Sequence, residues 1–400
     1  MLTKSALRAI LVRVLLFDFE WCLEVSLQLF PAFQDRALHE VLREGGVAGA
    51  GGAGFPTWAK YQHPQPFLVV NAQESEPGYF IDKWLHQTRA AEFLDLLQWL
   101  RSWGVGKCVV AAKIKDRPSF ASMETLAAEQ AGGMKVLDCT ARNRHKLSEQ
   151  AEPLLFAYTD DKYPFGMETA LLLIIAQQKI PQGERPTQHG FIINNSETLW
   201  NMHQLLSTGA AVTTKYVHVY GATPTHTFRA VPVGTPAADV LKDAGLTLPE
   251  IQARGFIVVD GGPGWFEKID PVHAVVSRRT NSLLVLDPSI VDVTQKDVFD
   301  KPGKPGYPSV GTVFSTTPTT LAVSQVRVPL IDNPAFKAVR PATAMVKSGD
   351  RVVRGQAIAR ANEEGVSLWC HASIDGVIAE VSERGIEIRS SPGSRGARSS

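Results

Sequence analysis

Four glycines fall within six residues in the segment Gly49-Ala-Gly-Gly-Ala-Gly-Phe-Pro-Thr57, namely Gly49, Gly51, Gly52 and Gly54, and Lys60 follows close behind. Glycine removes the side chain where a backbone must approach a ligand closely. Exposed N–H groups in such a loop suit phosphate, and Lys60 adds a positive charge beside them. A tight structural turn satisfies the same pattern, so both readings stand at this point. The segment is neither the dinucleotide fingerprint nor a Walker loop, because no Gly-Lys-Ser/Thr follows.

Three further segments carry residue types that can do chemistry. Asn71-Ala-Gln-Glu-Ser-Glu-Pro-Gly78 follows an apolar run, at the strand end where open α/β folds bind ligands. Asn71 can hydrogen-bond a ring or ribose edge, and Glu74 and Glu76 can accept from hydroxyl or amide groups; a solvated acidic turn reads the same way. Asp82 and Lys83 read as a surface pair. In Tyr163-Pro-Phe-Gly-Met-Glu-Thr-Ala-Leu171, Gly166 frees the backbone and Glu168 enters the first turn of a helix, where the dipole favours an acid whatever its role. In Asn194-Asn195-Ser-Glu-Thr-Leu199, Ser196 is a natural helix cap, and Asn194 and Asn195 can hold a phosphate or a polyol chain.

The elements that must position these groups alternate. Phe67–Asn71 reads as a strand, Ala90–Trp103 as a helix, Lys107–Ala112 as a strand, Ser119–Gln130 as a helix and Met134–Leu137 as a strand. Glu168–Gln178, Gly190–Asn194 and Glu197–Leu206 continue as helix, strand, helix. That alternation predicts a parallel, Rossmann-like α/β sheet with crossover helices. From Tyr216 the texture changes to strands at 216–220, 227–231 and 256–259 around a helix at 237–244, which suggests a small β-grasp. Residues 287–325, rich in Pro, Gly, Ser and Thr, read as linker. Short strands and turns over 346–388 predict a compact all-β module, and the Ser/Gly/Arg-rich tail is expected to be disordered.

Composition excludes several classes. Lys plus Arg is 41 against 40 for Asp plus Glu, which leaves no basic footprint for nucleic acid. Cys22, Cys108, Cys139 and Cys370 are scattered with no Cys-x-x-Cys, so the clustered thiolates of a ferredoxin or zinc ribbon are missing. Isolated cysteines suit a reducing cytoplasm and small buried positions. Leu7–Phe19 is apolar-rich, but Arg13 interrupts it and Asp18 and Glu20 follow, which argues against a signal peptide or a spanning helix.

Taken in order, the four segments resemble one family: the C subunit of the Rnf complex, the cobalamin reductase of propanediol utilisation and the flavin-bearing NADH-oxidising subunit of respiratory complex I. The resemblance covers about residues 40–290 and then about 326–390. It implies an FMN/NADH-binding α/β domain at 39–213 after an N-terminal extension (1–38), an SLBB β-grasp domain at 214–288, a linker at 289–325, a lipoyl-like barrel-sandwich module at 326–390 and a tail at 391–400. Pro232-Val-Gly-Thr-Pro236 and Gly261-Gly-Pro-Gly264 carry the β-grasp resemblance. Val346–Gln356 and His371–Val377 carry that to the barrel module, in which no lysine sits at a hairpin tip in the lipoyl manner.

By the same resemblance, Gly49, Gly51, Gly52, Gly54 and Lys60 would hold FMN phosphate, and Asn71, Asn194 and Asn195 would contact the flavin. Glu74, Glu76 and Glu168 would orient NADH, with Phe55 or Tyr163 as aromatic cover. Two departures mark this chain: Gln73 and Met167 stand where the complex I type has acids. The Rnf type's two-cluster ferredoxin segment would fall in the cysteine-free stretch 287–325, so electrons leaving the flavin would pass directly to a separate redox partner, ferredoxin-like or other. The alternatives are a cofactor-free assembly subunit and a cobalamin reductase. A cytoplasmic chain, peripheral to the inner face of a membrane complex, is the expected setting.

Overall fold

Runs such as Phe67-Leu-Val-Val-Asn71 are too apolar for a strand with one wet face. In the computed structural model they form a parallel sheet buried on both sides. The structure describes Phe30 and residues 36–74, 76–130, 133–140, 143, 145–292, 299–300 and 315–390. Most of the expected N-terminal extension, Cys22, the middle of the expected linker and the tail lie outside the described residues.

Strands β1 (Phe67–Asn71), β2 (Lys107–Lys113), β3 (Met134–Cys139), β4 (Leu154–Thr159) and β5 (Phe191–Asn195) are parallel and lie in the order β3-β4-β2-β1-β5. The strand order reverses at β1, which pairs with β2 on one side and β5 on the other. Strand β4 was not among the expected elements; its Leu-Leu-Phe-Ala-Tyr-Thr run is buried throughout.

After α1 (Leu38–Glu44), helices α2 (Ile81–Thr88), α3 (Ala90–Ser102) and α4 (Ala121–Gln130) cover one face, and α5 (Glu168–Ile175) covers the other. Helix α6 (Ser196–Thr208) joins the first group. Leu85, Phe93, Leu97, Met123 and Met202 pack against Leu68, Val70 and Ile192 on the first face. Leu171, Leu172 and Ile175 pack against Val69, Val109 and Ile193 on the second. A 3-10 turn over Ile114–Phe120 containing Pro118 delays α4 to Ala121, and α5 stops at Ile175 just before Gln177 takes a φ of 55°.

The second domain has β6 (Thr214–Gly221), β7 (Thr227–Pro232), α7 (Ala237–Asp243), α8 (Leu248–Arg254), β8 (Ile257–Gly262), β9 (Trp265–Lys268) and β10 (Ser282–Leu286). Strands β6 and β7 form a hairpin, and β10 runs parallel to β6, the expected β-grasp layout. Thr319–Thr320, in the segment read as linker, instead adds a parallel edge to β7. In the C-terminal module, strands Gln325–Val328, Arg351–Val352, Gly376–Ser382 and Gly385–Arg389 face a second sheet of Thr343–Ala344, Ala357–Arg360 and Cys370–His371. Val326, Ile358, Ile378, Ile386 and Ile388 fill the space between them.

The three parts are tied by buried charges. Lys215 of β6 pairs with Glu197 of α6, and both side chains are almost wholly buried. Lys215 also donates to Asn281 Oδ1 at 2.9 Å, and Glu197 accepts the Tyr216 N–H at 3.1 Å. Arg278 pairs with Asp332 at 2.8 Å and donates to the carbonyls of Gly46 at 3.1 Å and Trp369 at 3.0 Å. One guanidinium thus joins the glycine-loop region, the second domain and the barrel module.

Burial also sets the acid response of the fold. It pulls the pKa of His86 down to about 3 and those of His226 and His371 to about 4. Unfolded histidine titrates near about 6.5. These groups are therefore neutral in the folded chain and take up protons on unfolding between the two values. Their contribution is present above about pH 6.5 and is lost as pH falls toward about 4. Through these histidines the urea midpoint is expected to drop between about pH 7 and about pH 4.5, less the opposing contribution of buried Asp82, whose raised pKa favours the folded state on acidification; a midpoint that rises steadily over this range would show that the buried acids and not the histidines set the response.

Candidate functional site

Alternation along a strand sends neighbouring side chains to opposite faces, and this sorts the polar residues at the sheet's carboxyl edge. Asn71 follows Val69 and Asn195 follows Ile193, so both project on the α5 face. The two are register partners across β1 and β5. They therefore meet where the strand order reverses, the position at which open α/β sheets form a ligand crevice. Asn194 follows Ile192 to the other face, where it is buried and donates to Tyr61 Oη at 2.5 Å. Its expected flavin contact is corrected to a core hydrogen bond.

The glycine loop folds over the end of β5. Gly49 N–H donates to Phe55 O at 2.8 Å and Gly54 N–H to Gly49 O at 3.0 Å, which closes the loop on itself. Ala50 N–H donates to Thr198 Oγ1 at 2.9 Å and so docks the loop on the first turn of α6. No acceptor among the described residues takes the N–H of Gly51, Gly52 or Ala53. Gly52 has a φ of 102°, a conformation that disfavours side chains, and a Cβ built on it would meet nothing within 4 Å. A Cβ on Gly51 would lie 3.1 Å from Asn195 Cβ and Cγ, a tight approach that any side chain would relieve only by shifting Asn195 or the loop.

Asn195, not the expected Ser196, caps α6: its Oδ1 accepts from Thr198 N–H at 3.0 Å. Ser196 instead pairs with His86 Nε2 at 3.0 Å. With Oδ1 engaged, the Asn195 amide nitrogen is left beside the glycine loop. Free loop N–H groups, this amide and a helix N-terminus form an anion cradle of the kind that phosphate occupies.

Lys60 Nζ donates to Ile193 O at 2.6 Å and pairs with Glu168 at 3.0 Å. Two of its three donors are used and the third remains. Glu168 is thereby placed on Lys60. Asn71 Nδ2 donates to Gly166 O at 2.8 Å, which fixes the turn before α5 over the crevice. Glu74 departs from its expected role. At a φ of 39° its side chain turns inward, pairs with Lys83 at 2.7 Å and accepts the Asp82 N–H at 3.1 Å. Its carboxylate is 2% exposed, so it is a buried structural acid. The expected Asp82–Lys83 surface pair is likewise replaced: Asp82 is buried, and burial, with Glu74 adding to it, pushes its carboxyl well above the ordinary value.

Glu76 and Tyr163 stand at the outer rim, where the Tyr163 hydroxyl donates to Glu76 Oε1. Phe55 is drawn toward the barrel module. It meets Phe336 edge-on at 5.4 Å, and the Arg185 guanidinium lies 5.1 Å from its ring centre. Neither Phe336 nor Arg185 was singled out in the sequence. Gln73 lies buried on the Asn71 face, where Thr159 Oγ1 donates to its Oε1 at 3.1 Å and its Nε2 has no partner. Cys108, Cys139 and Cys370 are free and buried, and burial pushes the Cys108 and Cys139 thiols up to about 12. Among the described residues no group of His, Cys, Asp and Glu is arranged to hold a metal ion, and no helix is long and apolar enough to cross a membrane.

A parallel α/β domain with an anion cradle at its switch point is the layout of a nucleotide- or flavin-binding domain. Residues 42–204 match the Nuo51 FMN-binding domain of the complex I 51K family, and residues 324–393 match the RnfC barrel sandwich hybrid domain. The chain thus carries an FMN-binding domain of the complex I 51K type and a barrel sandwich domain of the RnfC type. It is 28% identical over 258 residues to the cobalamin reductase PduS of Citrobacter freundii, covering 64% of this chain and 51% of that protein. It is 27% identical over 270 residues to the C subunit of the ion-translocating oxidoreductase complex of Erwinia tasmaniensis, covering 66% of this chain and 30% of that protein. The chain thus spans about half the length of the cobalamin reductase it matches. A solved NAD+-reducing NiFe hydrogenase in the H2-reduced state is 23% identical, with a TM-score of 0.48 over 64% of this chain and 48% of that one.

The residues present fit FMN. The open cradle at Gly52 and the unpaired N–H groups would suit its phosphate, and the orphaned Gln73 Nε2 would suit a ring carbonyl.

Proposed function

We propose that this chain is the flavin-bearing module of a multi-subunit electron-transfer assembly, in which it oxidises NADH and hands the electrons to a separate redox protein. The observation that carries this reading is the convergence of the glycine loop, Lys60, Asn71 and Asn195 on one crevice at the reversal of the sheet. Bound FMN would supply a two-electron acceptor that can release electrons singly. The chain's own groups bind and orient. Loop N–H groups and the Asn195 amide hold the phosphate, with Lys60 balancing charge. Asn71 and Gln73 line the floor. At the rim, the Glu76 carboxylate, backed by the Tyr163 hydroxyl that donates to it, presents acceptors to the NH2 of a primary carboxamide such as that of nicotinamide. Hydride transfer needs no general acid–base pair in its first step.

The named relatives include a component of an ion-translocating complex, which supports a peripheral place on the inner face of a membrane assembly. The same relatives leave ferredoxin-like proteins and cobalamin enzymes as acceptor classes. The test is the visible spectrum of the purified chain after FMN loading, before and after anaerobic NADH. Flavin bands that bleach with NADH are expected. Lys60→Ala should weaken FMN retention by about tenfold, the effect of one lost charge-assisted bond. A chain that takes up no flavin would sink the redox reading.

A further inference from the structure

We propose that the Gly261–Gly264 turn of the second domain is part of the dinucleotide site, where it locks the Glu76 carboxylate, backed by the Tyr163 hydroxyl, in the geometry that accepts from the nicotinamide carboxamide N–H. The proposal rests on the reading above that NADH binds at the outer rim of the crevice.

The turn between β8 and β9 wraps the rim pair closely. Gly264 N–H points at Glu76 Oε2 at 3.5 Å, while Glu76 Oε1 accepts the Tyr163 hydroxyl. A Cβ on Gly262 would lie 2.1 Å from Glu76 Oε2, and one on Gly264 would lie 2.2 Å from Tyr163 Cζ. Both distances are far inside contact, so the approach requires glycine at both positions. Gly261 has a φ of 122°, a conformation that favours glycine.

A second link holds the same loop. Ser282 Oγ donates to Gly261 O at 2.6 Å and lies 2.9 Å from Tyr79 Oη. A hydroxyl has one proton, so Ser282 must accept from Tyr79. Both Glu76 and Tyr79, three residues apart, are therefore tied to one turn of another domain. Behind the turn, Thr280 Oγ1 donates to Asp260 at 2.8 Å, and Arg279 pairs with Glu267. The rim pair is thus braced from a second domain, which lowers the ordering cost of binding.

The chemistry at stake is recognition of the nicotinamide half alone. ADP-ribose shares the adenine, phosphates and ribose of the dinucleotide but lacks the carboxamide, so it separates positioning of the pair from general damage. The FMN-loaded full chain is titrated with NAD+ and with ADP-ribose, following flavin absorbance. Gly264→Ala should weaken NAD+ at least about tenfold while ADP-ribose stays within about twofold and FMN retention is unchanged. Ser282→Ala adds no atoms and removes the second link; it should produce the same split, about threefold in size. It decides the matter if the alanine at position 264 prevents folding. Equal loss of both ligands, or parental NAD+ affinity in both variants, overturns the proposal. A parent chain that binds FMN but neither ligand overturns the dinucleotide reading, and the proposal with it.

Discussion

A Gly51→Val chain is expected to lose FMN retention by at least about tenfold, measured by quenching of flavin fluorescence on titration. The reasoning is steric. Even a methyl group at this position would lie 3.1 Å from Asn195 Cβ and Cγ, and valine adds two more carbons. The loop must lift or Asn195 must turn. Lifting breaks the bond from Ala50 N–H to Thr198 and withdraws the free N–H groups from the cradle. Turning uncaps α6 and removes the Asn195 amide. Lifting loses at least two donors to a charged phosphate and turning loses one, at about 1.5–3 kcal/mol each. The sheet lies elsewhere, so thermal stability should change little, by about 1 kcal/mol for the lost cap. FMN affinity within about threefold of the parent would show that the phosphate is held elsewhere.

Arg278→Met should carry the largest stability loss, about 3–5 kcal/mol, seen as a fall in Tm of roughly 10 °C. Arg278 and Asp332 are 5% and 3% exposed, so removing the cation strands a buried carboxylate. The variant also leaves the carbonyls of Gly46 and Trp369 without their donor and loosens the barrel module from the glycine-loop region. The double variant Arg278→Met/Asp332→Leu should recover most of the loss, because apolar replacement of a whole buried pair is often close to neutral. If the double variant is no more stable than the single one, the cost lies in the unpaired backbone groups and packing and not in the stranded charge.

Much of the site was legible because its chemistry needs particular residue types at short spacing. The glycine loop, Lys60, Asn71 and Asn195 stand out in the sequence and meet in the crevice. Alternation of strand and helix was enough for the parallel sheet around β1, β2 and β5. Other features were not legible for physical reasons. Strand β4 is a short wholly apolar run, which periodicity alone does not assign to strand or helix. Asn194 and Asn195 carry the same side chain, and only the strand's register with β1 shows that one faces the core and the other the crevice. Glu74 looks identical to Glu76 in the motif, yet its left-handed backbone turns it inward to Lys83.

By itself, the sequence determined the classes of element, the glycine loop and the order of the parts, because these depend on local backbone preference and on the period of apolar residues. Only the tertiary structure decided which polar groups share a space. Arg278 reaches Gly46, Asp332 and Trp369, and Gly264 reaches Tyr163, across separations for which local pattern carries no signal. Such contacts are set by how buried faces stack, and a chain discloses them only when its domains are packed together.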